Sequence, residues 1–484
     1  MNFKTISRTV GIALLVSALF MFFSILVSVA GGNDSALAAL LISFTITAIV
    51  GAFPLIFVRR NNSITMKEGY VIIVLSWLLS FIFGMLPYLL WGGPFTVINA
   101  WFESVSGYTT TGATILENVE ALPDSLLFWR SSTHFIGGLG IVVFLLLIIP
   151  DSSPIRLRLT NMELSSLSKD GYNARANKTI WIFTYVYLGL AVVAFLSYWA
   201  AGMSAFDAIN HAFSVCSSGG FSTRGLSIGA FDSRLIEGLS MLFMILSSVH
   251  FGMVFMVFAT RSLKPLNNPV LKFYLGAIAL TTLVTGFAFK LQGVFDDWGG
   301  ALWNAAFHTI SMASTTGFAI ADNCHWPMTA NIMVLAISLM CGCAGSTCGA
   351  IKADRILVLF KAISRQISSI LHPSAMNGIR IGKRMMKEEQ ITPQILYIAL
   401  YVLILVVSVV LSVMLGVDSE NAIAASLSSL GNQGPALGLL GTMGNFNSIT
   451  EGAKILFTID MFIGRIEIYP VVAVLAMLFS DWRK

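Results

Sequence analysis

Apolar runs long enough to cross a bilayer recur along this 484-residue chain, and they restrict its fold more than any other feature. A helix needs about 20 mostly apolar residues to span the hydrocarbon layer. Ten such runs stand at 10–30, 36–58, 70–91, 126–149, 180–201, 235–258, 271–291, 332–359, 395–415 and 455–479, the eighth of them interrupted. Composition agrees: 56% of residues are hydrophobic, 11% are charged, and the mean hydropathy is +0.81. That balance excludes a soluble globular domain. The first run ends in "VSVAGG", as a signal peptide could, but it is too long for a signal core. A second run follows at once, so the first reads as a retained helix.

Charge placement orients the spans. If the runs alternate in direction, 23 of the 29 Lys and Arg residues fall on one side. They lie at Lys4 and Arg8, Arg59–Lys67, Arg156–Lys178, Arg261–Lys272, Lys352–Lys387 and Arg483–Lys484. The positive-inside rule makes that side cytoplasmic and puts both termini there. The opposite loops are acidic, with Glu117, Glu120, Asp322 and Asp418 among them, which suits a cation as cargo. Of the five cysteines, Cys341, Cys343 and Cys348 cluster in the eighth run with no His or carboxylate beside them. They read as small packing residues, and no disulfide is expected.

Beyond the first two runs the chain repeats. It resolves into four units, each an apolar run, a short segment and a second apolar run. Every short segment ends in a glycine with a serine six residues before it. The four are "SGYTTTGAT" (Ser106, Gly112), "SVCSSGGFS" (Ser214, Gly220), "SMASTTGFA" (Ser311, Gly317) and "SSLGNQGPA" (Ser428, Gly434). The residues just before each glycine are small or hydrogen-bonding: Thr110 and Thr111, Ser218 and Gly219, Thr315 and Thr316, Asn432 and Gln433. Preceding them are "VINAWFESVS", "AFDAINHAFS", "WNAAFHTIS" and "NAIAASLSS", which at about ten residues are too short to cross. Such a segment suits a half-helix that enters the membrane and turns back. Non-helical backbone at that depth is tolerated only where it is buried in protein or lines a water-filled path.

A single Thr-Thr-Gly is an ordinary turn; four in register predict a ring about an axis. Glycine adopts dihedrals closed to other residues, so successive carbonyls can point the same way. A ring of carbonyls can replace the hydration shell of a potassium ion. Half-helices would aim their partially negative C-terminal ends at the same ion. The expected fold is an all-α membrane protein in which a two-helix N-terminal extension (1–66) precedes four pseudo-fourfold helix–pore-loop–helix repeats around a central ion pore. The repeats are expected at 67–155, 156–262, 263–390 and 391–484.

Taken together these motifs resemble the Trk/Ktr/HKT superfamily of potassium transport proteins, and specifically its bacterial Trk-type membrane subunit with two extra N-terminal helices. Besides the four loops, the resemblance rests on "WRSSTHFIGGLGIVV" (129–143), "CGCAGSTCGAIKADR" (341–355) and "FIGRIEIYPV" (462–471). It implies channel-like potassium uptake across a bacterial cytoplasmic (inner) membrane. The implied potassium-binding filter comprises Thr110, Thr111, Gly112, Ser218, Gly219, Gly220, Thr315, Thr316, Gly317, Asn432, Gln433 and Gly434. Potassium is the bound substrate, and no other cofactor is expected in this chain. With glycine at all four filter positions, the resemblance implies potassium rather than sodium. It also implies a homodimer and a cytoplasmic regulatory ring with nucleotide-binding domains (TrkA-type); the chain itself shows no Walker A or convincing dinucleotide motif, so nucleotide control would arrive through that partner. The basic amphipathic segment 361–389 suits such docking, or anchoring to anionic headgroups. Nothing in the sequence points to nucleic acid.

Two other classes compete. An ion-coupled secondary transporter, moving potassium with protons or sodium, also places broken helices at the midplane. It would show inverted or paired repeats and a more charged site, although the sequence leaves passive and coupled conduction both open. An intramembrane enzyme would need a nucleophile or metal set within the spans. His134, His211, His250 and His308 share no ligand spacing and read as packed, hydrogen-bonded side chains, so the chain is not expected to be an enzyme.

Two further features concern a gate. In "CGCAGSTCGA" (341–350), Gly342, Gly345 and Gly349 each weaken a helix by about 1 kcal/mol. Ser346 and Thr347 offer the backbone competing hydrogen bonds. The stretch is either a close helix–helix contact through small residues or an unwound loop across the pore; the resemblance implies the second. It departs from the usual pattern in its cysteines, and "SSVHFGMVF" (247–255) replaces a glycine-rich turn. Arg465 lies inside the last run, where an arginine is a functional hypothesis by default. Asp460 and Glu467 stand at poor same-face spacings from it, so a partner is expected from another unit. By resemblance Arg465 faces the cavity under the filter and opposes cation passage.

Overall fold

The computed structural model describes residues 2–59, 65–140, 176–324, 326–372, 378–382, 384–436 and 440–481. The end of the fourth expected span (141–149), most of the basic stretch at 156–178, and Arg483 and Lys484 lie outside those residues.

Helices α1 (Phe3–Ala30) and α2 (Leu37–Phe57) pack along each other. A Cβ at Gly11 would sit 2.5 Å from the Gly51 carbonyl oxygen, and one at Gly51 would sit 3.0 Å from that of Gly11. Small residues let the two backbones approach this closely. Arg8 then donates to the Leu55 oxygen at 2.9 Å and the Pro54 oxygen at 3.4 Å, capping carbonyls at the end of α2. The two helices are not equivalent: 61% of the apolar window of α1 is buried, against 22% for α2. α1 is a wedge in the bundle, and Tyr108 of the first unit donates its hydroxyl to Ser17 at 2.8 Å.

The four units follow. The first is α3 (Met66–Gly84) with its continuation α4 (Leu86–Trp91), then α5 (Val97–Tyr108) and α6 (Asp124–Leu139). The second is α7 (Ala176–Ala200), α8 (Ala205–Cys216), α9 (Arg234–Ser248) and α10 (Phe251–Thr260). The third is α11 (Pro269–Leu291), α12 (Trp298–Ala313), α13 (Met328–Leu339) and α14 (Ala353–Leu371). The fourth is α15 (Glu388–Met414), α16 (Ser419–Gly431), α17 (Glu451–Ile466) and α18 (Ile468–Asp481). With α1 and α2, the leading helix of every unit makes six unbroken apolar spans among the described residues.

The helices that follow the glycines behave differently. α6 stops at Gly140 (φ +90°), while α9 and α10 are bent by 101°. Between α13 and α14 the chain leaves the helix entirely. There β1 (Met340–Cys341) pairs in parallel with β2 (Ile351–Lys352) and pins the two ends of the excursion together. A second short ladder joins β3 (Arg380–Ile381) to β4 (Arg384–Met385). α17 and α18 break at Glu467 (φ +68°).

Only the interruption in 332–359 was expected from sequence; the runs 235–258 and 455–479, read as single spans, are each two helices. The break in the second unit is bonded from elsewhere. Ser248 accepts from the Cys343 N–H at 2.8 Å, Ser247 from the Thr347 N–H at 3.4 Å, and the Phe251 N–H donates to Gly345 at 3.1 Å. His250 caps α10, its Nδ1 accepting from the Gly252 N–H at 2.9 Å. The break at Glu467 occupies a backbone region that costs about 1–3 kcal/mol for a residue with a Cβ. Its carboxylate is paired with Arg355 at 2.7 Å.

Candidate functional site

The four short helices end in one repeated backbone pattern. In each, the N–H of the residue before the glycine donates to the carbonyl of the serine: Thr111 to Ser106 (2.9 Å), Gly219 to Ser214 (2.9 Å), Thr316 to Ser311 (2.9 Å) and Gln433 to Ser428 (3.0 Å). Between them sits a residue in the left-handed region: Thr110 (φ +53°), Ser218 (+56°), Thr315 (+54°) and Asn432 (+53°). This helix ending normally places glycine there. A side chain at that position costs about 1–2 kcal/mol, less for asparagine, so Thr110, Ser218 and Thr315 each carry a local penalty. The glycine that follows is left-handed in every copy: Gly112 (+82°), Gly220 (+83°), Gly317 (+76°) and Gly434 (+87°). The serine hydroxyl closes the turn in the first and third copies, where Ser106 donates to Ala113 at 2.6 Å and Ser311 to Phe318 at 2.7 Å. In the second copy Ser214 meets His134 Nδ1 at 3.0 Å instead.

The four glycines close a ring. A Cβ on Gly112 would collide with the Gly219 carbonyl, one on Gly220 with that of Thr316, one on Gly317 with that of Gln433, and one on Gly434 with that of Thr111. Each glycine therefore abuts the carbonyl that precedes the next unit's glycine, and the fourth closes onto the first. A larger residue at any of the four would push into a neighbour's backbone. A cavity beside the ring touches all four glycines together with Thr114, Glu117 and Ser222.

The excursion 341–350 lies against the left-handed residues. The hydroxyls of Ser218 and Thr347 are 2.7 Å apart, and the Gly349 N–H donates to Thr315 Oγ1 at 3.3 Å. A Cβ on Gly349 would come within 2.7 Å of the Gly431 oxygen and 2.8 Å of Asn432 Oδ1. Gly342 has Cys348 Sγ 2.8 Å from the place of its missing Cβ, Ser346 donates to Cys343 at 2.7 Å, and Gly345 is left-handed at φ +82°. The cysteines are buried here, and Cys348 Sγ donates to Ser314 at 3.1 Å.

Arg465 ties this segment to the first unit. Its Nη1 donates to the Thr347 carbonyl at 2.6 Å, and its Nη2 to Gly137 at 2.6 Å and Gly138 at 3.0 Å. The two acids near it in sequence are engaged elsewhere, Asp460 with the Ser408 hydroxyl and Glu467 with Arg355.

The Glu103–Arg130 ion pair, like that of Arg355 with Glu467, escaped the sequence reading. Glu103, in α5, lies 2.8 Å from Arg130 of α6, and both are almost fully buried. The Arg130 guanidinium also sits 3.9 Å above the Phe221 ring and donates to the Ser222 carbonyl at 3.3 Å. The available signal was an acid and a base, each alone in an apolar segment at membrane depth. The four histidines are hydrogen-bonded and packed, with His134 stacked on Phe221 at 4.0 Å.

The profile of the TrkH family, described as a cation transport protein, matches residues 36–291 and 293–482. The Trk system potassium uptake protein TrkH of Salmonella typhimurium is 32% identical over 491 residues, covering 100% of both chains. The uptake protein TrkG of Escherichia coli is 32% identical over 460 residues, or 93% of each chain. The crystal structure of the potassium transporter TrkH from Vibrio parahaemolyticus superimposes with a TM-score of 0.88 at 30% identity, covering 98% of this chain and 99% of that one.

Proposed function

Because the chain belongs to the TrkH family of cation transport proteins, and is thus a multi-pass membrane transporter and not an enzyme, we propose that it takes up potassium ions through the glycine ring. The observation that carries this reading is the closed cycle of glycine-to-carbonyl contacts among four loops far apart in sequence. Potassium would enter from the acidic outer side, exchange water for the carbonyls around Thr111, Gly112, Gly219, Gly220, Thr316, Gly317, Gln433 and Gly434, and meet the negative ends of α5, α8, α12 and α16. Thr110, Ser218, Thr315 and Asn432 would complete the site. Each unit, from 67–155 to 391–484, contributes one quarter of it.

In this reading Gly342, Gly345, Ser346, Thr347 and Gly349 form a gate beneath the ring, latched by Arg465. The guanidinium adds positive charge on the ion's path until the Thr347 bond is broken. α14 continues directly from the gate, and its Arg355 grips Glu467, two residues beyond the latch. A cytoplasmic partner acting on α14 and the basic segment behind it could therefore work the gate. A nucleotide-binding ring of TrkA type fits that role, the membrane being the bacterial inner one with both termini cytoplasmic. A homodimer belongs to the same proposal.

The test is ion flux into liposomes holding this chain alone. With equal potassium and sodium gradients imposed in separate runs, potassium should enter well ahead of sodium. Equal passage of both ions would defeat the proposal, and uptake that needs a proton or sodium gradient would make the protein a symporter.

A further inference from the structure

Nine residues before Gly112, Gly220 and Gly317 stand Glu103, His211 and His308; before Gly434 the matching residue is Ala425. The first three are fully buried, and each grips the chain two or three residues past its own glycine. Glu103 accepts from Thr114 Oγ1 at 3.0 and 3.1 Å and from the Ile115 N–H at 3.1 Å. His211 Nε2 lies 2.9 Å from Ser222 Oγ, and His308 Nε2 lies 3.5 Å from the Ile320 nitrogen.

The direction of the histidine bonds follows from their other ends. Nδ1 of His211 sits 2.7 Å from the Asp207 carbonyl, and Nδ1 of His308 sits 2.9 Å from that of Asn304. A carbonyl only accepts, so Nδ1 carries the hydrogen in both rings, and Nε2 of a neutral imidazole is then an acceptor. A carboxylate in one unit and an imidazole in two others thus present the same thing, a buried acceptor aimed at the same stretch of chain. In the fourth unit Ala425 has no acceptor to offer. There Ala436, two residues past Gly434, is held across the unit boundary by Asn323 Nδ2 at 3.1 Å.

A buried ion pair is weak evidence of a stability role, because apolar residues of similar volume at such a site are often neutral or stabilising; Arg130, the partner of Glu103, also holds Ser222. A carbonyl ring explains the arrangement better. Whether discrimination rests on cavity size or on the number of coordinating dipoles, both depend on where the carbonyls are held. We propose that Glu103, His211 and His308 are positioning residues that set ion discrimination by fixing the chain just beyond the glycine ring, an inference that rests on the pore reading above.

The experiment compares potassium-over-sodium flux ratios of full-length variants in liposomes. His308→Leu should lower the ratio about threefold to tenfold, the equivalent of one buried hydrogen bond, and Glu103→Leu, which removes several, should lower it by at least as much. His308→Gln, whose amide oxygen still accepts, should restore most of it, a rescue that a space-filling role would not give. Ala425→Ser should leave the ratio unchanged. If the leucine variants fail to fold, Thr114→Val and Ser222→Ala remove the same bonds from the loop side and should act in the same direction. Parental ratios in the folded variants would overturn the inference. Gly112→Ser, run in parallel, separates the two levels. Should it lower the ratio while the tether variants do not, this inference alone fails; should it also leave the ratio unchanged, the pore reading fails with it.

Discussion

At the scale of single residues, the ring glycines and Arg465 carry the account. Each glycine is fixed twice, by a left-handed φ and by a neighbour's carbonyl where a Cβ would stand. This was legible in sequence because the serine and glycine keep their spacing in all four copies while the residues between them vary. Glu103 and Arg130 were not legible as a pair. They lie on different helices, and only the packing of α5 against α6 reveals that each neutralises the other. Arg465 gives the clearest single-residue prediction. Its bonds to Thr347, Gly137 and Gly138 hold the excursion 341–350 to the first unit. Arg465→Ala should therefore raise potassium flux in liposomes about tenfold or more, the equivalent of at least one charge-assisted hydrogen bond of closed-state stability. Unchanged or lower flux in a well-folded mutant would argue against a latch.

The element scale separates what local pattern encodes from what it does not. The six long spans, the four half-helices and the interruption at 341–350 all announce themselves within a window of sequence. The bend at Val249–His250 does not, because the groups that satisfy its open backbone come from the third unit, nearly a hundred residues on. Glu467 is similar: its unfavourable backbone is tolerated beside Arg355, which arrives on α14. Losing that contact should be measurable. Glu467→Ala keeps the Cβ but removes the ion pair, and should lower stability by about 1–3 kcal/mol in detergent thermal unfolding. Glu467→Gly also loses the pair but relieves the backbone, so it should be the milder of the two. Shortening 341–350 by a few residues should open the pore and raise basal flux; a chain as closed as the parent would remove the gate from the account.

At the scale of the whole molecule, four non-identical units and a helical hairpin make one object. In sequence α1 and α2 read as a two-helix N-terminal extension; in the structure α1 packs into the bundle, with Ser17 reaching α5 of the first unit through Tyr108. Gly11→Leu would force α1 from α2 and should cost about 1–3 kcal/mol, seen as loss of monodisperse protein rather than as a change in selectivity. If the four loops act as one ring, serine placed singly at Gly112, Gly220, Gly317 and Gly434 will reveal it in the potassium and sodium flux of each variant in liposomes. All four substitutions should lower potassium-over-sodium discrimination, because each pushes into the next loop's carbonyl. Parental discrimination in any one of the folded variants would contradict a shared ring.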